Sequence, residues 1–71
     1  MTVFAEALKE LLRERIMLIY GRNRICRRLE EHEKIELEHC YVTYKALGGN
    51  SYIDGYYERM LLWEVVPDEE Q

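Results

Sequence analysis

The 71 residues suffice for one domain at most, and a chain of this size buries only about 60% of its unfolded surface. Hydrophobic residues nevertheless make up 48% of the sequence, so either the packing is tight or another copy of the chain covers part of the apolar surface, and we expect a homo-oligomer. The formal net charge of −4 argues against a binder of duplex DNA, and the longest apolar run, 16–20, is too short to cross a bilayer.

The first predicted element is a helix over residues 3–20. Thr2 can cap it, and apolar residues recur along one side at helical spacing. More apolar residues lie beside that stripe and widen the face, which suits contact with another subunit. Gly21-Arg22-Asn23 is typical of a helix end. The stripe consists of Ala5, Leu8, Leu12, Ile16 and Ile19, and the residues beside it are Phe4, Leu11, Met17 and Leu18.

An arginine-rich connector, 24–28, leads to a second predicted helix over residues 30–47. This long stretch contains neither glycine nor proline, which favours a helix over a strand. Alternation at 35–38 and the strand-forming residues at 41–44 leave a β-hairpin as the alternative. The inward face of the helix is predicted to hold Leu37, Cys40, Tyr41, Tyr44 and Leu47.

A sharp corner at Gly48-Gly49-Asn50 separates the second helix from a third, predicted over 54–64 and capped by Ser51 or Asp54. Both loops place a glycine four residues before an isoleucine, which suggests a minimal β-bridge between Ile25 and Ile53. The sequence thus predicts an all-α domain over 1–66, with three helices around one small core. We expect residues 67–71 to form a disordered acidic tail.

Four segments resemble small proteins encoded by phages and prophages of Gram-positive bacteria: 8–12, 13–20, 41–50 and 57–60. Those proteins carry a tyrosine-rich helix, then Leu-Gly-Gly-Asn-Gly, a hydroxyl residue and a short helix with an acidic pair or a Glu-Arg pair. This chain departs from the pattern at Ser51 and at Asp54-Gly55. The resemblance implies a helical phage accessory protein. Because the sequence shows no signal peptide, we expect it in the cytoplasm of the bacterial host. Counter-defence follows only by analogy with such proteins.

The candidate ligand site combines the arginine segment with the glycine corner. Arginines can clamp phosphates, tyrosines such as Tyr41, Tyr52 or Tyr56 can stack on bases, and consecutive backbone N–H groups can bind an anion. The alternatives are a plain helix–helix turn and arginines paired with glutamates of the second helix. The predicted ligand-binding residues are Arg22, Arg24, Arg27, Arg28, Tyr44, Gly48, Gly49, Asn50, Ser51 and Tyr52.

Two functions fit the sequence. The first is a non-enzymatic counter-defence protein that sequesters a small nucleotide-like anion, which requires the arginines to converge with the corner. The second is a protein-interaction module that inhibits a host protein through an acidic or apolar helical surface. No nucleophile lies beside a base and an orienting group, so we expect no enzyme activity and no cofactor. The spacing of Cys26, His32, His39 and Cys40 does not favour a metal site.

Overall fold

A computed structural model of the chain describes residues 2–68. Within this range lie three α-helices, α1 (Val3–Asn23), α2 (Glu31–Ala46) and α3 (Asp54–Leu61), and a turn of 3₁₀ helix (Ser51–Ile53) leads into α3. Two short strands, β1 (Arg28–Glu30) and β2 (Glu64–Val66), form a small parallel sheet. The prediction of three helices is confirmed, but the all-α class leaves out this sheet.

Helix α1 begins as predicted and ends later than predicted. The Thr2 hydroxyl accepts a hydrogen bond from the backbone N–H of Ala5 at 3.2 Å and caps the first turn. Gly21 lies inside the helix instead of ending it, so α1 runs to Asn23 rather than to residue 20. The Asn23 side chain holds the last turn in place, because it donates to the Ile19 carbonyl at 2.9 Å and to Glu33 of α2 at 3.1 Å.

Helix α2 has nearly the predicted bounds of 30–47, and the alternative of a β-hairpin in this segment is wrong. A capping box closes its first turn. The Glu33 carboxylate accepts from the backbone N–H of Glu30 at 3.1 Å, and the Glu30 carboxylate accepts from the backbone N–H of Glu33. Leu37 and Tyr44 are buried, which confirms the inward face predicted for this helix.

The predicted bridge between Ile25 and Ile53 is wrong, because a different pair of segments forms the sheet. Leu29 of β1 lies opposite Val65 of β2, whereas Ile25 lies in an exposed turn and Ile53 is fully buried. The helix predicted over 54–64 is also too long. The helix ends at Leu61, and the last predicted residue, Glu64, begins β2 and pairs with β1 together with Val65 and Val66.

The chain enters α3 differently from the prediction. Neither Ser51 nor Asp54 caps the helix by a side-chain hydrogen bond. The Asn50 side chain instead accepts from the backbone N–H of Tyr52 at 2.9 Å and starts the 3₁₀ turn. Asp54 accepts a hydrogen bond from the Tyr41 hydroxyl at 2.8 Å and so ties α3 to α2.

One hydrophobic core lies between the helices and the sheet. Each predicted apolar stripe contributes to it, and β1 adds Leu29, a position assigned to no stripe from the sequence. A core of this size leaves many large apolar residues outside, as the composition indicates. The buried hydrophobic residues are Ile16, Ile19, Leu29, Leu37, Tyr44, Ile53 and Met60.

Candidate functional site

The two loops predicted to form one ligand site lie at opposite ends of the molecule. Helices α1 and α2 run antiparallel: Arg15 donates to Glu36 midway along them, and Asn23 donates to Glu33 near one end. The loop that follows α1 therefore lies at one end of this helical hairpin, and the loop that follows α2 lies at the other. The structure does not bring the arginine segment and the glycine corner together.

The two loops line separate depressions that share no lining residue. The depression at the arginine end has a volume of about 730 Å³, and the one at the glycine corner has a volume of about 260 Å³. Both carry side chains of both charges, so neither is selective for an anion by charge alone. Of the predicted ligand-binding residues, Arg22 and Arg28 line the first, Tyr44, Gly48, Gly49 and Asn50 line the second, and Arg24, Arg27, Ser51 and Tyr52 line neither.

The backbone of the arginine segment is held in a defined turn. Arg27 has φ of 57°, in the left-handed region that residues other than glycine rarely adopt. Its N–H donates to the carbonyl of Asn23 at 2.8 Å, and its carbonyl accepts from the N–H of Glu64 at 3.3 Å. The start of β2 therefore fixes the shape of this turn.

Most arginines of this turn project into solvent. Arg22 is the one that approaches a glutamate of α2, at 3.8 Å from Glu33. Among residues 2–68, Arg24, Arg27 and Arg28 make no ion pair within 4 Å, so the expected pairing with the second helix occurs for Arg22 alone. Within residues 2–68, the turn thus presents three cations without an ion pair on an acidic protein.

The glycine corner uses its polar groups within the chain. Gly48 has φ of 86°, which favours glycine, and the N–H of Gly49 donates to the carbonyl of Tyr44 at 2.9 Å. The Tyr44 hydroxyl donates to the Asn50 side chain at 3.3 Å, and the Tyr44 ring lies directly against Gly49. These contacts favour a plain helix–helix turn over an anion site.

Two of the three tyrosines suggested for base stacking are engaged elsewhere. Tyr41 stacks face to face on Tyr57 with ring centroids 3.8 Å apart, and its hydrogen bond to Asp54, with partial burial, raises the pKa of Tyr41 to about 12. Tyr56 packs edge to face against Tyr20, with ring centroids 4.9 Å apart. Tyr52 is 59% exposed, so among these three it offers the most accessible ring.

The segment after β2 is fastened to the start of α2. Asp68 accepts from the backbone N–H of His32 at 3.0 Å and from the Nδ1–H of the same residue at 2.8 Å. Both bonds lower the pKa of Asp68, and the backbone bond has the larger effect. The side-chain bond also raises the pKa of His32. This His32–Asp68 clasp borders the depression at the arginine end. Residues 69–71 of the tail predicted as disordered lie outside the described residues.

The clasp makes stability depend weakly on pH. Because the pKa of His32 is raised above 6.5, the contribution of His32 to folding stability is complete below that pH. This contribution is lost as pH rises through the pKa that His32 has in the folded protein. Because the pKa of Asp68 is lowered below 3.8, its contribution is present above that pH and is lost in stronger acid. We expect His32→Gln to destabilise the protein slightly at pH 5.5 and less at pH 8.5, measured by urea unfolding. His39→Gln, the matched control, should show no such difference, and equal effects at both pH values would contradict the clasp.

The acidic helix suggested as an interaction surface engages its carboxylates within the chain. Glu33 is only 6% exposed, Glu36 binds Arg15 at 2.8 Å, and Glu38 lies 3.8 Å from Lys34. Reversing the charge of Glu33 would therefore test folding rather than binding. Of the two interaction surfaces suggested by the sequence, acidic and apolar, the acidic one therefore has less support.

The strongest unpartnered surface is apolar and lies on α1. We call Phe4, Leu8, Leu11 and Leu18 the α1 apolar face; Phe4 is 89% exposed and Leu11 is 63% exposed. Near its amino-terminal end this face borders a groove of about 510 Å³, which is also lined by Leu47, the residue after α2. The sequence placed three of these four residues outside the main stripe of the helix, which was the signal for this surface.

Comparison with protein-family models, curated proteins and solved structures yields no significant match. None of the helices in the described part of the chain is long and apolar enough to span a membrane. Within residues 2–68, no three His, Cys, Asp or Glu side chains cluster closely enough to hold a metal ion. Functional argument therefore rests on the surfaces described above.

Proposed function

We propose that this chain is a non-enzymatic phage accessory protein that acts by binding a helix of another polypeptide through the α1 apolar face. The observation that carries the proposal is the exposure of the four large apolar side chains of this face beside an apolar groove. Exposed apolar surface of this kind on a small protein marks interaction sites. The resemblance to phage proteins supports a role in countering host defence from within the bacterial cytoplasm.

The energetics favour a polypeptide helix over a small ligand. Full burial of one Leu or Phe side chain contributes about 1.5–3 kcal/mol. Association costs about 4–15 kcal/mol, so several of these side chains must be buried together. A helix laid along α1 achieves this, because it covers successive turns of the face at once.

A small anionic ligand is a second candidate, supported by the cations of Arg24, Arg27 and Arg28, which make no ion pair with the described residues 2–68. Such a site would lie on the turn at one end of the molecule, without the glycine corner. The acidic side chains in the neighbouring depression, among them Glu33 and Asp68, disfavour it. We therefore place it second.

The proposal is tested by a charge placed in the α1 apolar face. Leu11→Glu should weaken binding to a purified partner from the host by at least about tenfold, because it removes the burial of Leu11 and introduces a charge there. Titration calorimetry measures this change. Val42→Glu is the matched control, since Val42 is 64% exposed on α2.

Equal binding by both variants would overturn the proposal. A different result would favour the second candidate: a nucleotide that raises the melting temperature of the wild type and of Leu11→Glu, but not of Arg27→Glu. The two candidates thus give opposite outcomes with the same set of proteins.

A further inference from the structure

We infer that the helix bound by α1 is the α1 helix of a second copy of this chain, packed antiparallel about a two-fold axis between Glu14 and Arg15. This inference rests on the proposed function, because it names the occupant of the same face in the free protein, a copy that a host helix would have to displace. Such an arrangement is isologous, so each copy offers the same residues to the other.

The first observation is an uninterrupted exposed row along α1. On one side of the helix, a row of residues spaced three or four apart is exposed throughout. The row runs from the first turn of α1 into the loop that follows the helix. Within the row, large apolar residues recur at intervals of seven, which is the spacing of a coiled-coil seam. The row consists of Phe4, Ala7, Leu8, Leu11, Glu14, Arg15, Leu18, Gly21, Arg22 and Ile25.

The second observation is that this row complements itself when one copy is reversed. Residues equidistant from the proposed axis then face each other across the interface. Leu11 meets Leu18 of the second copy, and Glu14 meets Arg15 of the second copy. The second pair joins opposite charges and extends the ion pair that Arg15 already makes with Glu36.

Gly21 fits the same arrangement. A Cβ at this position would meet nothing within 4 Å in its own chain, so the fold itself does not require glycine inside this helix. In the antiparallel pair, Leu8 of one copy faces Gly21 of the other, and the missing side chain leaves room for the leucine. Gly21 thus makes room for a leucine of the second copy, although its own chain does not require a glycine there.

A parallel pair in register is disfavoured by charge. It would place Arg15 opposite Arg15 of the second copy and Arg22 opposite Arg22, with Glu14 opposite Glu14. Like charges directly across an interface are repulsive and disfavour that pairing. The charges of the row therefore select the reversed orientation.

Disulfide trapping tests this orientation. Two single-cysteine reporters, Leu11→Cys and Leu18→Cys, are made in a background in which both native cysteines are replaced, Cys26→Ser and Cys40→Ala, mixed in equal amounts and oxidised at micromolar concentration. The expected product is the heterodisulfide between the two variants, and neither homodisulfide should form. Intact mass distinguishes these products. Val42→Cys in the same background is the control and should stay uncrosslinked.

Homodisulfides in place of the heterodisulfide would overturn the antiparallel pair. Sedimentation of the unmodified protein is the second measurement, because a cysteine at Leu11 weakens the face itself. A species of only 8.6 kDa at all micromolar concentrations would overturn the second copy as the partner. Failure of the proposed function is seen separately, as equal binding of a host partner by Leu11→Glu and Val42→Glu.

Discussion

Replacing Leu29 by alanine is expected to lower the free energy of unfolding by about 2–5 kcal/mol, the range for truncating a fully buried leucine. Leu29 is 0% exposed and lies in β1, directly opposite Val65 of β2. Its side chain joins the small sheet to the core between the helices. The total stability of a domain is only about 5–15 kcal/mol, so the loss is a large fraction for a chain of this size.

Urea unfolding at one fixed protein concentration measures this effect, because the proposed self-association would make stability depend on concentration. Leu62→Ala is the matched control. Leu62 is 87% exposed just before β2, so its truncation should change stability by no more than about 0.5 kcal/mol. Equal midpoints for the two variants would mean that β1 does not anchor the core.

The helices were predictable because their signals are local. The Thr2 cap and the inward face of α2 follow from residue type and spacing, which depend on neighbours a few positions away. The sheet was not predictable by this route. It pairs 28–30 with 64–66, segments far apart in sequence, and each is too short to show a strand period.

The late end of α1 has the same origin. Gly21 is a local stop signal, but Asn23 donates to Glu33 of the next helix at 3.1 Å, and this contact between helices extends α1 past the glycine. Tertiary contacts of this kind override local propensity. They also explain why Glu33, which the sequence alone suggests is a surface acid, is buried as part of the capping box.

The candidate ligand site was predicted incorrectly as a single site because the sequence does not show which loops lie close together in the fold. The arginine segment and the glycine corner each follow a helix, and the sequence suggested that these two loops lie side by side. Because α1 and α2 are antiparallel, their carboxyl-terminal loops point to opposite ends. The apolar residues beside the α1 stripe were the more informative signal, since each lies where local periodicity does not require it.

Substitution of alanine for Gly49 is expected to destabilise the protein by about 1–3 kcal/mol, the cost of overpacking a filled site. A Cβ at this position would overlap the ring of Tyr44, with the ring Cζ only 2.6 Å away. Tyr44 is 4% exposed and its hydroxyl is bonded to Asn50, so the ring has little freedom to move aside.

Gly55→Ala is the matched control for this substitution. A Cβ at Gly55 would meet nothing within 4 Å, and the residue lies inside α3, where alanine should stabilise the helix by up to about 1 kcal/mol. The two variants should therefore shift the urea midpoint in opposite directions. If Gly49→Ala instead raised the midpoint as Gly55→Ala does, the Tyr44 ring would have to relax freely. The corner would then not be fixed by packing, and its glycine would need another explanation, such as close approach of a bound molecule.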